Sequence, residues 1–286
     1  MNRSIGVSLL VATTMLTSRA TPTVNTAVAG AEVTRKVYIS ATDDKGAPIT
    51  DLTAADITVK EGGKDRPVAS LEPAAAPMRV AILVDDAGTG AFQSAVAQFL
   101  QKSFGRGQFR ISLLSPQAAS IVDFTDDFGA LKNALGRLGV RGRIQPEGDQ
   151  LLDAIEGSAK TLQQQKAERP VILALTIAGG RPASVDPTEV LNVLRSSGAA
   201  LNVVFVRGAD LGMVMGDGPK QSGGRIEEAG PGPSIAAAAA RIADGLISQY
   251  LLTYTLPDGV KMSDRLTVAT SRKGIKLTSP SRIADK

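Results

Sequence analysis

Between residues 79 and 206 the chain repeatedly sets short, mainly apolar runs, several of them without alternation, among stretches with helical periodicity. The runs are Arg79-Val-Ala-Ile-Leu-Val84, Phe109 to Leu114, Ala119 to Phe124, Pro170 to Thr176 and Leu201 to Val206. The helical stretches lie near Ala91 to Phe104, Phe128 to Leu138, Gln150 to Gln165 and from Pro187 onward. A strand with one wet face alternates apolar and polar residues, whereas a run without alternation needs cover on both faces. Such runs interleaved with helices predict an α/β domain with a doubly wound, mostly parallel sheet. Open sheets of this kind bind ligands at the carboxyl ends of their strands, so candidate site residues are sought there.

The flanks read differently. Val33 to Thr42, Ile57 to Glu61 and Pro67 to Leu71 are short strand-like segments separated by the turns Asp43-Asp-Lys-Gly46 and Gly62-Gly63. Pro73-Ala-Ala-Ala-Pro77 then reads as a linker. Ser234 to Asp244 is an alanine-rich helix with Ser234 at the N-cap position, and Gln249 to Leu256, Arg265 to Thr270 and Gly274 to Thr278 read as antiparallel strands. The expected organisation is a β module over 32–72, an α/β domain over 78–248 and strands over 249–286. One economical arrangement packs the two flanks into a single smaller β module, although the sequence shows no pairing. Glycine-rich Gly208 to Gly232, with Met213 and Met215, reads either as a flap over the strand ends or as a structureless excursion.

The 286 residues include no cysteine and no histidine. Thiolate and imidazole chemistry, Cys/His zinc sites and the Ser-His-Asp triad are thereby excluded, and none of the common nucleophile or phosphate-loop motifs is present. The chain is expected not to be an enzyme. Met1-Asn2-Arg3 ahead of apolar Ile5 to Leu16 and then small residues predicts a signal peptide over 1–20, with cleavage between 20 and 31, and hence a periplasmic or extracellular protein. About 12 apolar residues are too few to span a bilayer core of roughly 30 Å, and no later segment is apolar enough to cross one. Lysine and arginine total 32 against 28 acidic residues, with 3% aromatic residues. Such scattered charge does not make a nucleic-acid surface, and Arg137, Arg141 and Arg143 read as a solvated loop.

The first strand ends Val80-Ala-Ile-Leu-Val-Asp85-Asp-Ala87-Gly-Thr89-Gly90 and runs straight into a helix. This resembles the Asp-x-Ser-x-Ser metal-binding motif of von Willebrand factor A domains. The chain is also similar to bacterial secreted proteins related to that family, in three places. These are Ala41-Thr-Asp-Asp-Lys-Gly46 through Ile49-Thr-Asp-Leu52-Thr53-Ala-Ala-Asp56, the turn Ser222-Gly-Gly224, and Leu246-Ile-Ser-Gln249-Tyr250-Leu-Leu-Thr-Tyr254. The resemblance implies a von Willebrand factor A or Rossmann-like domain that binds another protein, in family members through a Mg²⁺ ion held by hydroxyls and a carboxylate. Carried over by position, it implies Asp85, Thr89 and Asp149 as metal ligands. Ala87 offers no ligand atom where the first serine belongs, Asp149 replaces a threonine, and Ile177 stands about where a carboxylate is expected.

The site therefore reads as degenerate. No cofactor is expected, Mg²⁺ or Mn²⁺ being the candidates if any ion binds. The expected function is protein binding without a metal, at a loop rim over 85–92, 147–150 and 177–185 that includes Asp86 and Phe92, the latter either an exposed anchor or, as is commoner at the start of a helix, a core residue. The partner is an unidentified protein. One alternative is a structural or accessory subunit of an envelope assembly. A remoter one, from Gly88-Thr-Gly90, is a nucleotide-dependent enzyme; Gln93 at the third glycine position and the absence of an acid after Leu113-Leu-Ser-Pro-Gln117 speak against it.

Overall fold

The computed structural model describes residue 1 and residues 33–142, 144, 150–177, 184–230 and 232–284. The expected signal segment, its cleavage region and the candidate ligand Asp149 lie outside the described residues. No helix among the described residues is long and apolar enough to cross a membrane.

Strands β1 (Val33–Asp43), β2 (Ile57–Glu61), β3 (Lys64–Arg66) and β4 (Val68–Pro73) precede the linker. The apolar run after it forms β5 (Met78–Asp85), followed by α1 (Gln93–Ser103), β6 (Gly107–Leu113), β7 (Ala119–Thr125), α2 (Phe128–Arg137) and α3 (Gln150–Gln164). Then come β8 (Arg169–Thr176), α4 (Pro187–Ser197), β9 (Ala200–Val206), α5 (Gly212–Ser222), β10 (Ile226–Ala229) and α6 (Pro233–Ile247). The strands form one sheet in the order β10-β9-β8-β5-β6-β7. Every neighbouring pair is parallel except β6 and β7. Counted from β5 this is the 3-2-1-4-5-6 order of doubly wound sheets, with its third strand reversed at the edge.

The lack of alternation in β5 is explained by its two covers. Val80, Ile82 and Val84 pack with Phe99 of α1, Leu131 of α2 and Ile242 of α6, while Ala81 and Leu83 pack with Ile155 of α3, Leu194 of α4 and Val214 of α5. Each such side chain is fully buried, and truncating one of the leucines or isoleucines to alanine would cost about 2–5 kcal/mol, transfer and cavity together.

Two expectations are corrected here. The Gly208 to Gly232 segment is neither flap nor excursion but the ordered unit α5–β10. Val214, Met215, Gly218 and Pro219 of α5 are buried, and a methyl group on Gly218 would lie 2.9 Å from Leu201 Cδ2. Glycine here marks close packing, not looseness. Ser234 is not the N-cap of α6. Gly232 holds that place, and the Ser234 hydroxyl, two residues on, donates to the Gly230 carbonyl.

The α/β domain is an insertion in a smaller β module. Strands β11 (Tyr250–Leu256), β12 (Leu266–Thr270) and β13 (Ile275–Thr278) return after α6 and pair with the amino-terminal strands. They complete one sheet of order β13-β1-β11-β4 and another of order β12-β2-β3. Their shared core includes Ile39, Val59, Leu252 and Tyr254. The Gln249-to-Tyr254 motif is explained residue by residue. Gln249 Oε1 accepts from Arg169 at 2.8 and 3.1 Å. The Tyr250 hydroxyl accepts from Leu52 N–H at 3.0 Å and donates to the Ile49 carbonyl at 3.1 Å. The Tyr254 hydroxyl donates to the buried carboxylate of Glu61 at 2.8 Å.

Candidate functional site

β5 is the switch point of the sheet, since the chain leaves it for β6 on one side and returns to β8 on the other. A crevice opens at such a point because successive connections leave in opposite directions. Asp85 is the last residue of β5, and Asp86 to Phe92 form the turn into α1.

Asp85 is buried, and one of its carboxylate oxygens accepts from the Thr176 hydroxyl at the end of β8, at 3.0 Å. Ile177 N–H donates to the Asp85 carbonyl at 3.2 Å, so two neighbouring strand ends are tied together. Asp86 is completely buried and is the hub of the turn. Its carboxylate accepts from Gly88 N–H and Gly90 N–H, both at 2.9 Å, and from Arg141 Nη2 at 2.6 Å. Three donors and an opposing charge offset the cost of burying this anion. The Thr89 hydroxyl donates to the Asp86 carbonyl at 2.8 Å.

The glycines of the turn are required by a second loop laid over it. Arg141 N–H donates to the Gly88 carbonyl and Ile144 N–H to the Ala87 carbonyl, each at 2.9 Å. A methyl group on Gly88 would lie 2.2 Å from the Gly142 carbonyl oxygen, and one on Gly90 2.8 Å from Val140 N. Gly88 (φ 79°), Gly90 (φ 73°) and even Ala87 (φ 49°) adopt left-handed backbone. For alanine that conformation carries strain of order 1 kcal/mol, which the crossing loop holds in place. The close approach that glycine permits is used by the chain's own loop, and the turn's N–H groups are used by the chain's own carboxylate. The features that resembled a dinucleotide turn are spent on internal contacts.

Of the residues carried over as metal ligands, Asp85 and Thr89 are described, and both are engaged within the fold. Asp85 is engaged by Thr176, the Thr89 hydroxyl by a carbonyl, and Asp86 by a guanidinium. Ala87 and Ile177 offer no side-chain ligand atom, and among the described residues no group of three or more carboxylates is placed to hold an ion. Asp149 lies outside the described residues, as do the rest of the loop over 145–149 and residues 178–183. The rim residues are also corrected. Phe92 is wholly buried in the core beside Val96 and Phe99, because it begins the helix on its inward face, and Asp86 is sealed beneath the second loop. Neither is an exposed contact. The exposed apolar side chains on this edge are Val140 (82% exposed) in the crossing loop and Met213 (52%) at the start of α5.

Arg141 is the functional-site residue that sequence reading placed wrongly, as part of a solvated basic loop. It is 55 positions from Asp86, and no local pattern links them. Its neighbour Arg137 donates to the Ile121 carbonyl at 3.1 Å, while Arg143 lies outside the described residues. Thr176 was in view only as the residue before Ile177.

No protein-family model matches the chain, and no curated protein matches it. Solved structures do. The SpRpn10 VWA domain is 14% identical with a TM-score of 0.42, the alignment covering 58% of this chain and 94% of that one. The vWF domain of the type V pili tip protein Mfa5 from Porphyromonas gingivalis is 11% identical with a TM-score of 0.43, covering 60% and 96%. Proximal thread matrix protein 1 from the mussel byssus is 10% identical with a TM-score of 0.45; the match spans 62% of this chain and about half, 49%, of that protein. By its strand order, the segment over 78–247 is a doubly wound α/β domain with an acidic turn at its switch point, set into a two-sheet β module.

Proposed function

We propose that this is an exported protein-binding module whose contact face is the strand-end edge around Asp85 and the crossing loop, and that it works without a metal ion. One observation carries the reading. The Arg141 guanidinium sits 2.6 Å from the buried Asp86 carboxylate, at the turn where the resemblance would put an ion. A cation built into the chain leaves the turn's buried anion already compensated. Binding would then rest on shape and apolar contact instead of on a metal's attraction for a partner's acid. Val140 and Met213 are the exposed apolar groups available for that contact, and such groups embedded in a polar surface are what interaction sites use. Export is supported by the charged and then apolar amino terminus. The engaged N–H groups of the turn weigh against a nucleotide-dependent enzyme.

Calorimetric titration of the signal-free protein with Mg²⁺ and Mn²⁺, repeated on Asp85→Ala, tests metal independence. No saturable heat is expected. Saturable binding that Asp85→Ala abolishes would overturn that reading. Pull-down from the source organism's envelope fraction, with the chain and its Val140→Asp form compared, tests the face. A partner held equally by both forms would move the contact surface elsewhere.

A further inference from the structure

The opposite end of the sheet carries a buried charge of the other sign. Arg169 is the first residue of β8, and its side chain is 4% exposed. Its Nε and Nη2 donate to Gln249 Oε1 and Nη2 also to the Leu246 carbonyl, at the end of α6. Nη1 has one long bond, 3.4 Å, to the Ala76 carbonyl in the linker. The guanidinium carbon stands 5.3 Å from the centre of the Tyr38 ring of β1. Every one of these partners is neutral, and no carboxylate among the described residues lies within ion-pair distance of Arg169. Burial draws the pKa of the guanidinium down to about 10, Tyr38 offsetting part of that and the nearby Arg106 charge adding to it.

Arg169 lines a cleft of about 300 Å³ between the α/β domain and the β module, together with Arg35, Lys36, Arg195 and Arg282. The internal counter-charges fall short of these five cations. Arg35 pairs with Glu61 at 3.2 Å, and Arg195 and Arg282 share the single carboxylate of Asp264 at 3.2 and 2.6 Å. Lys36 has no ion-pair partner among the described residues, and the acid on the cleft wall, Glu168, is exposed. Small-molecule sites favour module interfaces and begin at about this volume. A guanidinium with a donor left underused, in a site partly shielded from water, suits a planar or tetrahedral oxyanion.

We propose that this cleft between the two modules binds a small molecule bearing a phosphate or carboxylate group, with Arg169 at its floor and Lys36 at its mouth. The Nη1 edge of Arg169 faces the anion while its other edge caps α6, so that binding also ties β1, the linker and the α6–β11 junction together. The site is independent of the strand-end edge and stands or falls separately from it.

The test uses the full signal-free chain at constant ionic strength set with sodium chloride, titrated with sodium orthophosphate and, separately, with sodium succinate. Saturable binding of either probe, with a matching rise in the thermal unfolding midpoint, is expected; the probe that binds assigns the anion class. Lys36→Glu is exposed and outside the core, so it should fold as the unmodified chain does and bind about tenfold more weakly, a difference of about 1.4 kcal/mol. Arg169→Lys, which keeps the charge and loses the fork, should also weaken binding. Absence of saturable binding by both probes, or unchanged binding by Lys36→Glu, would overturn the proposal.

Discussion

The two ends of the parallel sheet handle buried charge in opposite ways. At the carboxyl end, Asp85 and Asp86 are met within the fold by the Thr176 hydroxyl, two glycine N–H groups and the Arg141 guanidinium. At the amino end, Arg169 is met by carbonyls, an amide and an aromatic ring, and by no carboxylate among the described residues. A buried ion satisfied by an opposite charge is a closed account, whereas one held by dipoles alone still gains from a counter-ion supplied from outside. The lesson is that the conserved place for a ligand in this fold class need not be where this chain has affinity to spare. The buried Asp86 carboxylate at the turn that looks like a metal site has its counter-charge within the fold, and the unremarked arginine at the far end has none among the described residues.

The largest effect that would test this contrast is at Asp86. Asp86→Ala strands the Arg141 guanidinium and two N–H donors, and should lower the unfolding free energy in urea by about 3–5 kcal/mol. The double change Asp86→Ala with Arg141→Met should recover part of that loss, because no charge is then left unpaired. Recovery of nothing would mean that Arg141 does not compensate Asp86. At the other end, Arg169→Met removes hydrogen bonds without stranding an ion, so its cost should be smaller, about 1–3 kcal/mol. A cost equal to that of Asp86→Ala would break the comparison.

The β module repeats the closed pattern at Glu61, which accepts from Arg35, Tyr254 and Ser263 N–H. Burial first, and the bond to Glu61 second, push the Tyr254 phenol well above its ordinary range. Because the folded state holds this proton more tightly than the unfolded chain, its contribution is complete below about pH 10 and is lost as pH rises above that value. Tyr254→Phe should cost about 1–2 kcal/mol at neutral pH, and its urea midpoint should decline less than that of the unmodified chain between pH 9 and 11. Parallel decline would remove Tyr254 as the cause. The smallest effect expected is Gly198→Ala, at φ 68° with no other atom within 4 Å of the added carbon. Backbone strain alone should cost about 1 kcal/mol, whereas Gly88→Ala, which also meets the Gly142 carbonyl, should cost more. Equal unfolding midpoints for the two would deny the crossing loop its role.

The sheet strands were legible because a strand buried on both faces carries an unbroken apolar run, as over 80–84 in β5, 170–175 in β8 and 203–206 in β9. The turn at Asp85 was legible as well, since its residues are neighbours in the chain. α5 was hidden by Gly212, Gly216 and Gly218. Each glycine weakens an isolated helix by about 1 kcal/mol, and only packing on α4 and β9, with Leu201 against Gly218, reverses that preference. Phe92 was weighed as an exposed anchor because nothing local fixes which way the first residue of a helix entry points.

What the sequence by itself determined was periodicity, and with it the α/β domain, its doubly wound sheet and the end at which an acidic turn would sit. Hydrophobic pattern is a local property and is written in consecutive residues. Tertiary structure alone decided where the charges go. It brought Arg141 to Asp86 across 55 positions, Glu61 to Tyr254 across 193, and Arg169 to Gln249 across 80. Whether a buried ion is satisfied or left wanting depends on which distant groups the fold places within about 3 Å of it, and no run of neighbouring residues records that distance.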